Sequence, residues 1–154
     1  MDRIYLLEYR ELYYHDDLDG EDVEYRSAIG YFSDMEKVNF AIKTCINHGI
    51  NATKLFVKEY PFIANKNQKY VYVLGYEFSI FLERNNCYVD YFYNFIPLKN
   101  EKKCWDLMEC LSKEKKYMKT PEKIFDDDSK YGFSVCKMKI NLIYGLPKNG
   151  ETKL

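Results

Sequence analysis

The sequence predicts an α+β fold, a tandem ββαβ repeat with a largely antiparallel sheet and two helices packed on it. Three observations predict it. Long β-prone runs come in pairs separated by turn residues. Each pair is followed by an amphipathic helical stretch and a further strand. The two halves line up at a nearly constant offset. The chain has 154 residues, 47% of them hydrophobic and 31% charged, with a net charge of −1. That length and apolar content suffice for one self-supporting core and exclude a disordered chain. With 7 Gly and 4 Pro, a collagen-like or low-complexity chain is excluded too. The longest apolar run, residues 70–81, is interrupted by Glu77 and is too short to span a bilayer.

The elements follow in order. Residues 4–14 and 23–32 are β-prone and flank Asp19-Gly20, a hairpin turn of the I′ kind. Ser33-Asp34-Met35-Glu36 then matches the S-x-x-E capping box. Val38, Ala41, Ile42, Cys45 and Ile46 form the apolar stripe of a helix that His48-Gly49 closes. Residues 55–63 read as a strand, with Pro61 marking an edge or an end. In residues 70–82 the even positions (Tyr70, Tyr72, Leu74, Tyr76, Phe78, Ile80, Leu82) are apolar or aromatic. Asn85-Asn86 turns the chain, and Cys87, Val89, Tyr91, Tyr93 and Phe95 share one face of the returning strand. Asn100-Glu101 starts a second helix with Cys104, Leu107, Met108 and Leu111 as its stripe. Residues 133–144 read as the last strand, with Cys136, Met138, Ile140 and Leu142 facing a core and Lys137, Lys139 and Asn141 facing water.

The first strands of the two halves align at an offset of 67, the hairpin turns at 66 and the helices at 65. The helix alignment pairs Phe40 with Trp105 and Cys45-Ile46 with Cys110-Leu111, so helix–sheet packing is expected of both aromatic residues. The expected organisation is a single pseudo-twofold domain over 1–146, with repeat one about 3–64 and repeat two about 69–146. Residues 147–154 read as a flexible tail. The second copy carries an insertion over about 113–132.

The first half also resembles a known family. The residues are Tyr5-Leu6-Leu7-Glu8, then Ile29-Gly30-Tyr31-Phe32-Ser33 with Glu36 and Ala41-Ile42, then Phe56 and Glu59-Tyr60. They resemble a family of small uncharacterised bacterial domains that read roughly YLLEH, then IGxFSSxExAxxAI, then a strand. The likeness covers about residues 4–63, with Tyr9 where the family has His. It implies a fold. The family has no established activity, so it implies no site.

Aromatic residues make up 18% of the chain, with 16 Tyr and 10 Phe. Lys, Asn, Ile, Tyr and Phe together supply 67 residues, all from A- and T-rich codons, which accounts for much of the bias. A Tyr-lined binding surface is the functional alternative. The N-terminus has no h-region or cleavage site of a secretory signal. Five Cys without CxxC spacing, mostly within apolar patterns, suit a reducing cytosol, so a cytoplasmic protein is expected. Two His and scattered Cys do not make a zinc site, and no cofactor is expected.

The most distinctive feature is the first hairpin tip, where Asp16, Asp17, Asp19, Glu21, Asp22 and Glu24 place six carboxylates in nine positions beside Tyr13 and Tyr14. An EF-hand fails, because with Gly20 at loop position six His15 and Arg26 would fall at the first and last ligand positions. Three readings remain: a weak cation site, a solvated tip that keeps an edge from aggregating, and a prong that docks on a basic partner. Residues 1–66 are net −4 and residues 67–154 net +3. The basic excess lies at Lys113, Lys115, Lys116, Lys119 and Lys123. With Arg nearly absent and Asp126-Asp127-Asp128 following, it reads as a solvated helix end, and nucleic acid is not expected as a partner.

Phosphate-binding glycine loops are absent, Cys45 and His48 read as stripe and cap, and Glu77 and Asp90 are not marked as an acid/base pair. The expected function is a non-enzymatic cytosolic interaction module: an inhibitor, or an immunity- or anti-defence-type antagonist of bacterial or phage origin. It would dock on a protein with a basic surface through the acidic tip, with no membrane involved. The alternative is a small-ligand, nucleotide-like binder using a Tyr/Lys cleft between the repeats. An enzyme with an unrecognised site ranks third.

Overall fold

The computed structural model describes residues 2–14, 22–83 and 86–145, with the backbone alone for residues 12–14 and 22–25. The fold is α+β, two helices packed with antiparallel sheets. The chain divides into two compact units, Met1–Tyr70 with Met138–Leu154, and Val71–Lys137. The end of the chain therefore groups with the first unit. The Asp19-Gly20 turn and the 147–154 tail lie outside the described residues.

The first unit is built on β1 (Arg3–Tyr14), which pairs antiparallel with β2 (Asp22–Phe32) on one edge and with β3 (Leu55–Pro61) on the other. Alternation sorts the residues of β1 onto two faces. Tyr5, Leu7 and Tyr9 join Ile29 and Phe32 under α1 (Met35–Asn47), while Ile4 and Leu6 are buried on the other face. A bulge at Ile29 shifts the register between Leu7 and Glu8. Val38, Ala41 and Cys45 are the buried stripe of α1, with Ile42 half-buried; Ile46, read as part of the stripe, is exposed.

The cap of α1 is Asp34 rather than Ser33. The Asp34 carboxylate accepts the Lys37 amide at 2.9 Å, and Ser33 Oγ donates instead to Asn141 Oδ1 at 3.2 Å. Gly49, at φ +92, ends the helix as its position after His48 predicts.

The second unit centres on β4 (Tyr70–Leu82), paired with β5 (Cys87–Leu98) on one edge. Its other edge carries the short β6 (Lys123–Ile124) and β7 (Phe133–Lys139). Here α2 (Glu101–Leu111) covers the face bearing Leu74, Tyr76 and Phe78, through Cys104 and Met108. Asn100 caps α2 as Asp34 caps α1, its side chain accepting the Lys103 amide at 2.9 Å. The two caps lie 66 residues apart, and so do the fully buried Val38 and Cys104. The offset of 65 paired Cys45 with Cys110, but Cys45 is buried and Cys110 exposed.

The last strand stops at Lys139, short of the expected Tyr144. Asn141 adopts φ +66, which Asn tolerates, and the chain leaves the sheet there. Met138 and Ile140 are buried and Leu142 half-buried, with Lys137, Lys139 and Asn141 exposed, as the alternation predicts; Cys136 is the exception, exposed where a core position was expected, while Phe133 and Val135 pack in the second core. Beyond Asn141 the chain straps the outer edge of β2. The amide of Asn141 donates to Tyr31 O at 2.8 Å and that of Tyr144 to Ile29 O at 2.7 Å. The strap passes over Gly30, where a Cβ would stand 2.4 Å from the Leu142 carbonyl oxygen.

Two predictions follow from these contacts. Gly30→Ala should lose about 1–3 kcal/mol in urea unfolding, because the atom it would meet is backbone and only the strap can move; wild-type stability would mean the strap is not seated there. The second concerns Asp34, whose carboxyl is held below the usual carboxylate range by hydrogen bonds from the Lys37 side chain and amide. A lowered native value gives stability that is present above that range and lost as pH falls through the native value. Asp34→Asn keeps a cap of the kind α2 uses and removes the charge. Its unfolding midpoint should therefore fall less between neutral and acid pH than that of the wild type; parallel curves would show that the pairing contributes nothing.

Candidate functional site

Pairing of β1 with β2 extends through Leu12 opposite Glu24, Tyr13 opposite Val23 and Tyr14 opposite Asp22. Of the expected docking residues, Asp16, Asp17, Asp19 and Glu21 lie outside the described residues. The structure gives the backbone register of Tyr13, Tyr14, Asp22 and Glu24. The charges of β1 have partners. Arg10 Nε donates to the buried Glu8 carboxylate at 2.6 Å, and the Arg10 guanidinium stacks 4.5 Å over the Phe56 ring. Lys54 Nζ meets Glu11 at 2.9 Å, and Tyr9 OH donates to the same carboxylate at 2.7 Å. That hydrogen bond raises the Tyr9 hydroxyl above its ordinary value. The six tip carboxylates have no Lys or Arg among residues 15–24 to balance them.

A second feature of the first unit is an open groove of about 470 Å³ between the start of α1 and the strap. Phe32, Leu142 and Ile143 line it with Glu36, Lys37 and Phe40. The Phe40 ring is 67% exposed, so the expected helix–sheet packing does not hold for it. Trp105 does pack against its core, and its Nε1 donates to Glu101 at 3.1 Å.

In the second unit Tyr76 and Tyr117 are spent on packing, while Tyr88, Tyr91 and Tyr131 are exposed. Tyr76 is fully buried with Phe133 at 4.7 Å and Tyr117 edge-on at 5.1 Å between ring centroids. The lysines expected as solvated helix-end cations behave differently, because α2 ends at Leu111, before all of them. Lys123 Nζ donates to Tyr76 OH at 2.8 Å, Lys116 O at 2.9 Å and Met118 O at 3.0 Å, 4.7 Å from the Phe78 ring centroid. Lys116 Nζ sits 4.5 Å over Tyr93. Lys123 is thus a latch that ties the insertion to the core, a role no local signal announces because Tyr76 lies 47 residues away.

Cys45 and Cys104 are the buried thiols, one in each core. Burial pushes the Cys45 and Cys104 thiols up to about 11. At pH 7 only roughly one thiol in ten thousand would be thiolate. Glu77 lies opposite Phe92, and Asp90 lies opposite Ser79, whose hydroxyl donates to its carboxylate. Among the described residues no group of three or more His, Cys, Asp or Glu could hold a metal ion, and no helix is long and apolar enough to cross a membrane.

No family model, curated protein or solved structure matches the chain.

The latch has a direct test. Lys123→Met keeps the length of the side chain but removes the donor shared by Tyr76 OH and two carbonyls. It should cost about 1–3 kcal/mol in equilibrium unfolding; a neutral substitution would mean that water replaces the ammonium at no cost.

Proposed function

We propose that the chain is a non-enzymatic interaction module, of the inhibitor or antagonist kind, that engages a protein with a basic surface through the acidic hairpin tip. One observation carries this reading. The β1–β2 ladder continues past its bulge to Tyr14 and Asp22, Glu8 and Glu11 pair with Arg10 and Lys54, and the sequence of residues 15–24 carries six carboxylates with no Lys or Arg. Charge presented that way steers association with a partner of opposite sign and sets its salt dependence. Tyr13 and Tyr14, at the base of the tip, would supply the apolar part of the contact.

A second reading, small-ligand binding, now rests on the groove beside Phe40 rather than on a tyrosine–lysine cleft, since Lys116 and Lys123 already sit on the tyrosines of the second unit. We also infer that the two units are copies of one ββαβ plan. The equal spacing of the caps and of the buried helix residues supports this. So does the hairpin bulge, at Ile29 in one unit and opposite Leu74 in the other.

Reversing Asp16, Asp17, Asp19, Glu21 and Asp22 to Lys should abolish capture of a partner from the native host while leaving the melting temperature within a few degrees. Undiminished capture would sink the docking reading. A melting shift with small metabolites that Phe40→Ala removes would favour the groove instead.

A further inference from the structure

We propose that β5 is a self-pairing edge and that two copies of the chain associate through it, joining two four-stranded sheets across a twofold axis at Phe92. Strand edges present unpaired amides and carbonyls, and proteins protect them with charge, proline, bulges or cover. The described edges differ in this respect. The outer edge of β2 is strapped by residues 141–144. Strand β3 carries Lys58, Glu59 and Pro61, and β6 and β7 carry Lys123, Lys137 and Lys139. Strand β5 is 12 residues long, no described strand pairs with its outer edge, and none of the chain's Lys or Arg falls within it. Its one charge is Asp90, and its one proline, Pro97, lies next to last. Pairing with β4 is regular from Cys87 to Asn94, and the bulge of this strand, at Phe95–Ile96 opposite Leu74, lies beyond that stretch.

The occupant is set by the pattern of β5 itself. Tyr88, Asp90, Phe92, Asn94 and Ile96 are all exposed. Antiparallel self-pairing about an axis normal to the sheet keeps each residue on its own face, so a residue must sit on the axis. Centring on Phe92 sets Phe92 against its own copy and Tyr91 against Tyr93, within the regular stretch before the bulge. It also sets Asp90 against Asn94 twice, once on each side of the axis. The Asn94 side-chain amide is then positioned to donate to the Asp90 carboxylate, which keeps free acceptor capacity beside its bond from Ser79. Neighbouring registers are poorer. Centring on Asp90 opposes two like charges, on Tyr91 sets Asp90 against Phe92, and on Tyr93 sets it against Ile96 in the bulge. The strand is self-complementary in one register.

The inference is independent of the acidic tip. Sedimentation equilibrium of the full chain over a concentration series tests it. The wild type should show a monomer–dimer equilibrium. Asn94→Asp places Asp opposite Asp twice and should weaken dimerisation on the order of tenfold. The double variant Asp90→Asn with Asn94→Asp swaps the pair and should restore the wild-type constant. A wild type that stays monomeric throughout would overturn the proposal. So would a dimer indifferent to Asn94→Asp, or a double variant as weak as the single one.

Discussion

The constraint on which the rest of the structure depends is that every strand edge needs a partner for its amides and carbonyls. Strands β1 and β4 meet it best, each with a hairpin partner on one side and, over part of its length, a later strand on the other. They are also where the buried residues concentrate: Ile4, Leu6, Leu7, Leu74 and Tyr76 are at most 2% exposed. The outer strands meet the constraint by different means, and the differences organise the molecule's surface. A strap covers β2, charge and proline protect β3, and β5 is left apolar and open. The strap forces Gly30, because no side chain fits beneath the Leu142 carbonyl.

The aromatic excess acquires a physical role through the same sheets. Codon bias explains why Tyr and Phe are abundant, and their placement explains why the second unit uses them. A small unit with one short helix gains apolar area quickly from large rings, and tilted pairs such as Tyr76–Phe133 add to burial. A buried tyrosine brings a hydroxyl that needs a partner, and for Tyr76 Lys123 supplies it. What reads as a surface charge in the sequence is therefore a structural donor.

Local signals in the sequence carried most of the fold. The hairpins, both amphipathic helices, the Gly49 stop and the Pro61 strand end all follow from turn chemistry and periodicity. What was misread depended on distance. Ser33 and Asp34 both satisfy a capping pattern, and only the contact with Asn141 decides between them. The alternation over residues 133–144 is broken by one positive φ at Asn141, which reads locally as a surface residue. Phe40 looks like core because aromatic residues in helices usually are, yet it lies outside the Val38–Ala41–Cys45 stripe by one position. The acidic tip is legible as a charge pattern, and the structure adds the backbone register of Tyr13, Tyr14, Asp22 and Glu24 alone. The β5 edge was missed because alternation shows which face of a strand is apolar and says nothing about which edge is covered.

Amide hydrogen exchange on the intact chain, followed at low and high protein concentration, tests the edge account most directly. It predicts the slowest exchange in β1 and β4 at both concentrations, and slowing with concentration in the outward amides of β5 but not in those of β3. Exchange in β5 that is fast and independent of concentration, or central strands no better protected than the edges, would contradict it.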